Sequence, residues 1–130
     1  MSSAASNGNR PIFAGYGPPS AHILLRTQSA GRVQFSGYKV DGGQAFTNLY
    51  DAPTDRWTHL VVTWDGTAGQ TSAYVDGALV STDNVSSDWS PKDQSVVFAR
   101  HDCCDAIVGD LDDIRLWSRA LTPAEIRAIP

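Results

Sequence analysis

The densest group of potential metal ligands lies at residues 100–105, which read Arg-His-Asp-Cys-Cys-Asp and join two predicted strands. His101, Cys103 and Cys104 are residue types that bind zinc, but zinc sites usually separate paired cysteines by two or more residues. We expect the adjacent cysteines to remain free thiols, because neighbouring Cα atoms lie about 3.8 Å apart, closer than in an unstrained disulfide. Three interpretations stay open from these residues: a transition-metal site, a hard-cation site on the carboxylates, and a solvated polar hairpin.

A second group of carboxylates, Asp110, Asp112 and Asp113, raises the question of acid–base catalysis. Retaining glycoside hydrolysis needs two carboxyl groups about 5 to 5.5 Å apart. In a strand over residues 111–117, Asp112 and Asp113 point to opposite faces. We therefore expect these aspartates to cap turns and to accept hydrogen bonds from backbone N–H groups, and we expect that the protein is not an enzyme.

Aromatic residues in predicted loops indicate a different chemistry, the recognition of sugars. Trp89 with Asp88, and Tyr16 in Gly-Tyr-Gly-Pro-Pro, lie among turn residues where burial is not required. A sugar ring stacks its apolar face on an aromatic ring while its hydroxyls pair with polar side chains. The sequence thus predicts a weak carbohydrate site on Trp89, Asp88 and Tyr16. The alternative is that Trp89 folds back to cover an end of the domain.

The composition excludes several classes of partner. The chain has 130 residues, of which 42% are hydrophobic, and this suits one globular domain with a core of its own. A formal net charge of −4 with scattered Lys and Arg argues against nucleic acid. No apolar run approaches the roughly 18 residues of a membrane-spanning helix, so no membrane insertion is expected.

The N-terminal residues differ in character from the rest of the chain. Residues 1–10 are small and polar and predict a disordered leader, with a single domain over 11–130. They have no apolar segment of the kind found in a signal peptide, so none is predicted.

The elements that position these side chains are predicted to be strands. Runs rich in β-branched and aromatic residues alternate with Gly, Pro, Asn and Asp at intervals of about 8 to 12 residues, which is typical of all-β sandwiches. The predicted strands are 12–14, 22–26, 32–35, 46–50, 57–64, 71–75, 78–81, 96–99, 107–108 and 111–117. Asp76 and Gly77 predict a type I′ hairpin turn, which needs positive φ at both central positions.

The strongest predicted strand, 57–64, is apolar on both faces. Leu60, Val62 and Trp64 share one face, while Trp57, His59 and Val61 share the other. Such a strand fits between an opposing sheet and a covering loop or helix. His59 is expected to be a satisfied core residue. The predicted core consists of Trp57, Leu60, Val62, Trp64, Tyr74, Val75, Phe98, Ile114, Leu116 and Trp117.

The C-terminus predicts one short helix over residues 122–129. Thr122 and Glu125 have the spacing of a capping box, and Pro123 occupies the first helical position, where the absent N–H is not missed. Leu121 and Ile126 have the spacing of a hydrophobic staple. The helix is therefore expected to clamp the end of the strand 111–117.

Two blocks of sequence resemble a known family. Residues 109–129 resemble the C-terminal signature of the laminin-G-like and pentraxin branches of the concanavalin A-like lectin superfamily, and residues 57–66 and 73–80 resemble its central strand pair and tight turn. The resemblance implies an all-β jelly-roll sandwich with a short C-terminal helix. The fold is expected to be shortened at its N-terminus, because the family's first strands have no counterpart before residue 11.

The resemblance also bears on the metal. Pentraxins hold calcium with acidic and amide side chains in the matching loop, which carries Asp102 and Asp105 over as Ca²⁺ ligands. Calcium takes six to eight oxygens. Backbone carbonyls, water, and Asp41 or Asn48 from a neighbouring loop are therefore needed to complete the shell.

For function, the resemblance implies a non-catalytic, lectin-like module that binds carbohydrate or glycoprotein, extracellular or on the cell surface as part of a larger protein. The alternative is a structural, adhesion or protein-interaction module of a surface or phage protein, without a sugar ligand. A sheet edge left open by missing first strands predicts a homo-oligomer.

Overall fold

The computed structural model of the chain describes residues 10–16, 23–28, 31–38, 44–52, 56–84, 95–98 and 106–130. These residues form strands and one short helix, in an order that matches the sequence prediction for the first eight strands. The elements are β1 (Arg10–Tyr16), β2 (Ile23–Thr27), β3 (Arg32–Tyr38), β4 (Gln44–Asp51), β5 (Leu60–Asp65), β6 (Gln70–Val75), β7 (Ala78–Asn84), β8 (Ser95–Phe98) and α1 (Pro123–Arg127).

The strands form two antiparallel sheets. One sheet has five strands in the order β4-β3-β2-β1-β8, and the other has three in the order β5-β6-β7. Most neighbours in each sheet follow one another along the chain, but β8 returns from the second sheet to pair with β1, with Phe13 opposite Phe98. Because most strands pair with a strand that is their neighbour in the sequence, periodicity located them well.

The core lies between the two sheets. Val33, Phe35 and Leu49 from the five-stranded sheet pack with Ala73 from the three-stranded sheet. Leu60, Val62 and Trp64 of β5 are partly buried and pack against the same cluster. The predicted inward face of β5 is thus confirmed, and the two sheets form a β-sandwich.

The outer face of the three-stranded sheet carries α1. Val61 of β5 and Tyr74 of β6 pack against Leu121 and Ile126, which joins helix and sheet in a second apolar cluster. The capping box is present, since the Glu125 N–H donates to Thr122 Oγ1 at 3.3 Å and the Thr122 N–H donates to Glu125 Oε2 at 2.8 Å. The predicted cap, staple and covering helix are therefore confirmed.

The tight turn between β6 and β7 also follows the prediction. Asp76 has φ of 51° and Gly77 has φ of 81°, the positive values that a type I′ turn requires. Aspartate tolerates this left-handed region better than most side chains, and glycine enters it without steric cost.

The structure contradicts the last two predicted strands, 107–108 and 111–117. Residues 106–122 adopt no helix or strand, and Ile114, Leu116 and Trp117 are exposed instead of forming part of the core. Asp113 has φ of 51°, outside the extended region, and its carboxylate bonds the nearby Arg115. A residue in the left-handed region interrupts the pleat of a strand, so β-favouring residues on either side do not form a ladder.

In the part of the chain that the structure describes, no helix is both long enough and apolar enough to cross a membrane.

Candidate functional site

Most of the predicted site residues fall outside the described residues. Asp88, Trp89, Asp102 and Asp105 are among these, together with the cysteines and His101. Tyr16 is described in its backbone: it is the last residue of β1 and pairs with Ser95, the first residue of β8. The residues 85–94, which hold Asp88 and Trp89, lead along the chain directly into Ser95.

Two carboxylates of the 106–120 segment, those of Asp112 and Asp113, bond to the protein itself. Asp112 Oδ1 accepts the N–H of Asp113 at 2.8 Å, as predicted for a turn-capping aspartate. Asp113 uses both of its carboxylate oxygens to hold Arg115, at 2.8 and 2.9 Å. Both oxygens of Asp113 are therefore engaged in a bidentate ion pair, and Asp112 shapes the local backbone.

Among the described residues, no group of three or more His, Cys, Asp or Glu side chains could hold a metal ion. These residues therefore do not form a complete calcium site by themselves. Asn48, one of the predicted supplementary ligands, lies within β4 and its Oδ1 accepts from Gln34 Nε2 at 3.1 Å. Because β4 and β8 are opposite edges of a five-stranded sheet, they lie about 19 Å apart. This separation argues against Asn48 as a partner of a loop that follows β8.

A polar ladder crosses three strands of the five-stranded sheet. Arg26, Gln34 and Asn48 are direct cross-strand partners and so share one face. Arg26 Nε donates to Gln34 Oε1 at 2.9 Å, and Gln34 in turn donates to Asn48. Gln34 is buried, so these bonds supply the partners that a buried amide needs.

A second polar cluster surrounds the carboxylate of Asp76 in the β6–β7 turn. Asp76 Oδ1 accepts the backbone N–H of His59 at 3.0 Å, and Oδ2 accepts from Arg56 Nη1 at 3.0 Å. The backbone N–H of Asp76 donates to the His59 carbonyl at 2.9 Å. Both ends of the segment 56–59 therefore bond to Asp76, Arg56 through its side chain and His59 through its backbone. We call Arg56, Trp57, His59 and Asp76 the turn cluster.

Trp57 and His59 of the turn cluster correct two predictions. Trp57 is 67% exposed and His59 is exposed, although both were expected in the core. The reason is that β5 begins only at Leu60, so the alternation of the strand does not extend to these residues. On that face, the five-residue helix α1 covers Val61 but does not bury Trp57.

The electrostatics of the turn cluster extend to Tyr50 at the end of β4. The hydrogen bond from the His59 N–H, together with the Arg56 guanidinium, lowers the pKa of Asp76 below its usual value. Burial and the nearby Asp76 carboxylate raise the pKa of Tyr50, against a smaller opposing effect of Arg56. At neutral pH the turn cluster therefore presents a charged carboxylate and a guanidinium, and the neighbouring phenol of Tyr50 is neutral.

Sequence reasoning identified the Asp76-Gly77 turn but not the partners of its carboxylate. Arg56 precedes Asp76 by 20 residues, and the pairing exists only because β5 and β6 bring the two positions together. A charged residue, Arg56, next to Trp57 at the start of the predicted strand could have indicated a polar surface site. Because Trp57 was interpreted as a core residue, that site was not predicted.

Relatives in sequence match different lengths of the chain. The neuronal pentraxin receptor of Homo sapiens is 32% identical over 83 residues, covering 56% of this chain and 17% of the receptor. The adhesion G-protein coupled receptor D1 of Homo sapiens is 29% identical over 126 residues, covering 91% of this chain and 14% of that protein. The chain therefore spans less than a fifth of the length of either relative.

Solved structures share the fold. The heptameric SAP-like pentraxin of Limulus polyphemus has a TM-score of 0.67 at 16% identity, covering 94% of this chain and 63% of that one. The IT-sialidase CBM40 of Ruminococcus gnavus has a TM-score of 0.68 at 17% identity, covering 96% of this chain and 76% of that one. These likenesses establish a jelly-roll sandwich.

A family model describes almost the whole chain. The Laminin_G_3 model, of the concanavalin A-like lectin/glucanases superfamily, matches residues 1–127. With the two-sheet sandwich and the capped C-terminal helix described above, this match confirms the resemblance read from residues 57–80 and 109–129. The chain belongs to the Laminin_G_3 family of the concanavalin A-like lectin/glucanases superfamily.

Proposed function

We propose that the chain is a non-catalytic, lectin-like module that binds carbohydrate. The observation that carries the proposal is the likeness of the sandwich to a CBM40 over 96% of this chain, together with membership of a lectin superfamily. A CBM40 from the same sialidase has been solved bound to α2,6 sialyllactose. Fold alone does not determine function, so the proposal requires a binding test.

The bonding of the described carboxylates supports a role without catalysis. Asp51, Asp76, Asp113 and Glu125 each pair with an arginine, and Asp65 accepts the N–H groups of a turn. The Arg119 guanidinium lowers the pKa of Glu125 to about 2, so this carboxyl holds no proton to donate near neutral pH. A general acid needs a pKa near the working pH, which is the opposite condition.

The proposed binding residues are Trp89, Asp88 and Tyr16 in a single domain over residues 11–130. The pairing of Tyr16 with Ser95 supports this grouping, because residues 85–94, which include Asp88 and Trp89, directly precede Ser95 in the chain. β1 itself begins at Arg10, one residue before the proposed boundary. A shallow site with one stacking ring is expected to have a Kd of roughly 0.1 to 10 mM, so several copies are needed for firm attachment.

A glycan array probed with the chain clustered on a tetrameric carrier tests the function. Binding to a defined set of glycans is expected for the wild type, with loss of part of that set in the Trp89→Ala variant and retention of the whole set in Trp117→Ala. Trp117 is the matched control because it is a partly exposed tryptophan outside the proposed site. A blank array for the wild type would overturn the carbohydrate proposal. Unfolding of Trp89→Ala would instead identify Trp89 as a core residue.

We further propose that Ca²⁺ binds weakly through Asp102 and Asp105. Binding to the folded state alone raises the melting temperature in proportion to the logarithm of ligand concentration once the site is mostly filled. Calcium at millimolar concentration is therefore expected to raise the Tm above its value in EDTA, and Asp102→Ala or Asp105→Ala to abolish the difference. Equal melting temperatures in calcium, zinc and EDTA would contradict any metal role for this loop.

Extracellular or cell-surface placement within a larger protein is part of the same proposal. It is supported by relatives that include a pentraxin receptor and an adhesion receptor, each much longer than this chain. Carbohydrate on glycoproteins is the partner that such a placement makes available.

An interaction module is the second candidate function, and one observation favours it. Leu111, Ile114 and Leu116 expose apolar side chains along one segment that has no strand partner among the described residues, and contiguous apolar exposure marks protein contacts. Self-association through this segment or an open sheet edge predicts a homo-oligomer. Light scattering during size exclusion tests it: the wild type is expected to be oligomeric and Leu116→Asp monomeric, whereas a monomeric wild type would contradict the prediction.

A further inference from the structure

We propose that Arg56, Trp57 and Asp76 of the turn cluster form a second sugar-binding site, specific for a neutral pyranose. The site lies at the β6–β7 turn and includes none of Trp89, Asp88 and Tyr16. It rests on the proposed carbohydrate-binding function, and it adds a separate position and a ligand class to that function.

Trp57 is exposed on a segment that bonds to the β6–β7 turn. Its side chain is 67% exposed, the second highest value among the exposed large apolar side chains that the structure describes. Yet Trp57 stands on a segment of four residues whose first and last members both bond to Asp76. The bond from the His59 backbone N–H holds the chain two residues after Trp57, so a ligand that contacts the indole there orders less backbone than it would on a loose loop.

Arg56, the residue before Trp57 in the chain, and Asp76 combine hydrogen-bond donors with acceptors. Asp76 uses each carboxylate oxygen once within the protein, so each retains a lone pair for a hydroxyl proton. Arg56 commits Nη1 to Asp76, and its side chain remains about half exposed, which leaves further N–H groups facing solvent. The pair thus presents a donor and an acceptor side by side.

The charges of Arg56 and Asp76 select the class of ligand. A sugar hydroxyl both donates and accepts, so two neighbouring hydroxyls match an adjacent carboxylate and guanidinium. A carboxylated sugar would bring its negative charge to a guanidinium that Asp76 already neutralises, and it would be repelled by Asp76. The lowered pKa of Asp76 keeps this repulsion in place throughout the neutral range. The site should therefore prefer a neutral pyranose to an acidic one.

The tight β6–β7 turn gives the site a rigid base. The Asp76-Gly77 turn has the φ values of a type I′ turn. The Asp76 carboxylate also contributes to the raised pKa of Tyr50 in the other sheet. Preorganised polar groups lose less binding energy to ordering than groups on a loose loop.

Titration of ¹⁵N-labelled protein with methyl β-D-glucopyranoside and methyl β-D-galactopyranoside tests the site. The four tryptophans give four indole N–H signals, which single substitutions assign. Saturable shifts of the Trp57 signal are expected with a Kd of about 1 to 10 mM for at least one glycoside. N-acetylneuraminic acid is expected to shift the Trp57 signal with an affinity at least about tenfold weaker.

Variants separate the contributions. Trp57→Ala lacks the indole signal and is followed through the backbone N–H signals of His59 and Asp76, which lie at the site. It is expected to abolish the interaction without lowering the Tm, because Trp57 is largely exposed. Arg56→Gln and Asp76→Asn are expected to weaken it about tenfold; asparagine tolerates the left-handed φ of position 76 and so retains the turn. Trp117→Ala, the matched control, is expected to bind as the wild type does. If Trp57→Ala proves unstable, the Arg56→Gln and Asp76→Asn titrations decide.

The outcomes distinguish this site from the proposed function. A Trp57 signal that does not move with either glycoside, on a protein that binds the glycan array, overturns this site and leaves the function standing. A blank array with no shift of any indole signal overturns both. A Trp57 site that binds the acidic sugar more tightly overturns the neutral ligand class.

Discussion

Strand β5 and the segment 111–117 have comparable β-favouring residues, yet only β5 is a strand. β5 pairs along its whole length with β6, from Leu60 opposite Val75 to Asp65 opposite Gln70. Segment 111–117 pairs with nothing in the described part of the chain and exposes its apolar side chains. The difference shows that β propensity selects a strand only where a partner is held in register.

Local chemistry accounts for the two outcomes. Asp65 closes a turn after β5 by accepting the N–H groups of Thr67 and Ala68, which returns the chain antiparallel to itself. In 111–117, Asp113 adopts positive φ and bonds Arg115, two residues along the chain. The same residue type therefore ends one strand in a hairpin and interrupts the other before a ladder can form.

The largest difference in stability is expected from an isoleucine-to-alanine substitution made once in the core beside β5 and once in the segment 111–117. Ile126 is 1% exposed and joins α1 to β5 and β6, whereas Ile114 is 51% exposed. Ile126→Ala is expected to lower the free energy of unfolding by about 2 to 5 kcal/mol, because it leaves a cavity. Ile114→Ala should change the free energy of unfolding by less than about 0.5 kcal/mol. Urea denaturation measures both.

Equal losses from the two isoleucine variants would contradict the exposure of the 106–120 segment. They would mean that 111–117 is packed in solution, either within the chain or against a second copy. Repeating the denaturation at several protein concentrations separates those cases, because only association makes the midpoint depend on concentration.

A smaller effect is expected at the turn that gives β6 its second partner. Gly77 has φ of 81°, and a β-carbon added there would meet only ordinary contacts with Arg127. Gly77→Ala is therefore expected to cost about 1 to 2 kcal/mol from backbone strain alone. Gly77→Asn should cost less, because asparagine tolerates positive φ. Thermal unfolding compares them, and equal losses would point to steric crowding instead.

The smallest effect is expected at the capping box, and it depends on pH. The Arg119 guanidinium and the Thr122 N–H lower the pKa of Glu125 to about 2 from an ordinary value of 4.5. The charged form therefore stabilises the fold fully above about pH 4.5, and this contribution is lost as the pH falls towards 2. Glu125→Gln is expected to lower the Tm at pH 7 and to match the wild type near pH 2.

Asp113→Asn is the matched control from the other region. Its ion pair with Arg115 lies within the exposed 106–120 segment, so removing the charge should leave the Tm nearly unchanged at pH 7. A loss at pH 7 as large as that of Glu125→Gln would contradict the comparison, because it would give the unpaired segment a structural role equal to that of the helix.

Several features were determined by the sequence alone because their causes lie within a few residues. The type I′ turn at Asp76-Gly77, the capping box of Thr122 and Glu125, and the two faces of β5 were all predicted and all observed. Each depends on φ preferences, on short-range hydrogen bonds or on alternation along one strand. The family resemblance followed from these same blocks.

Tertiary structure alone decided the rest, because it depends on which distant residues meet. The exposure of Trp57 follows from the length of α1 and the first residue of β5. The pairing of Arg56 with Asp76 spans 20 residues, and the ladder of Arg26, Gln34 and Asn48 spans three strands. The type of a side chain does not specify its cross-strand partner. Burial and polar pairing are therefore determined only when the strands pair and the two sheets pack together.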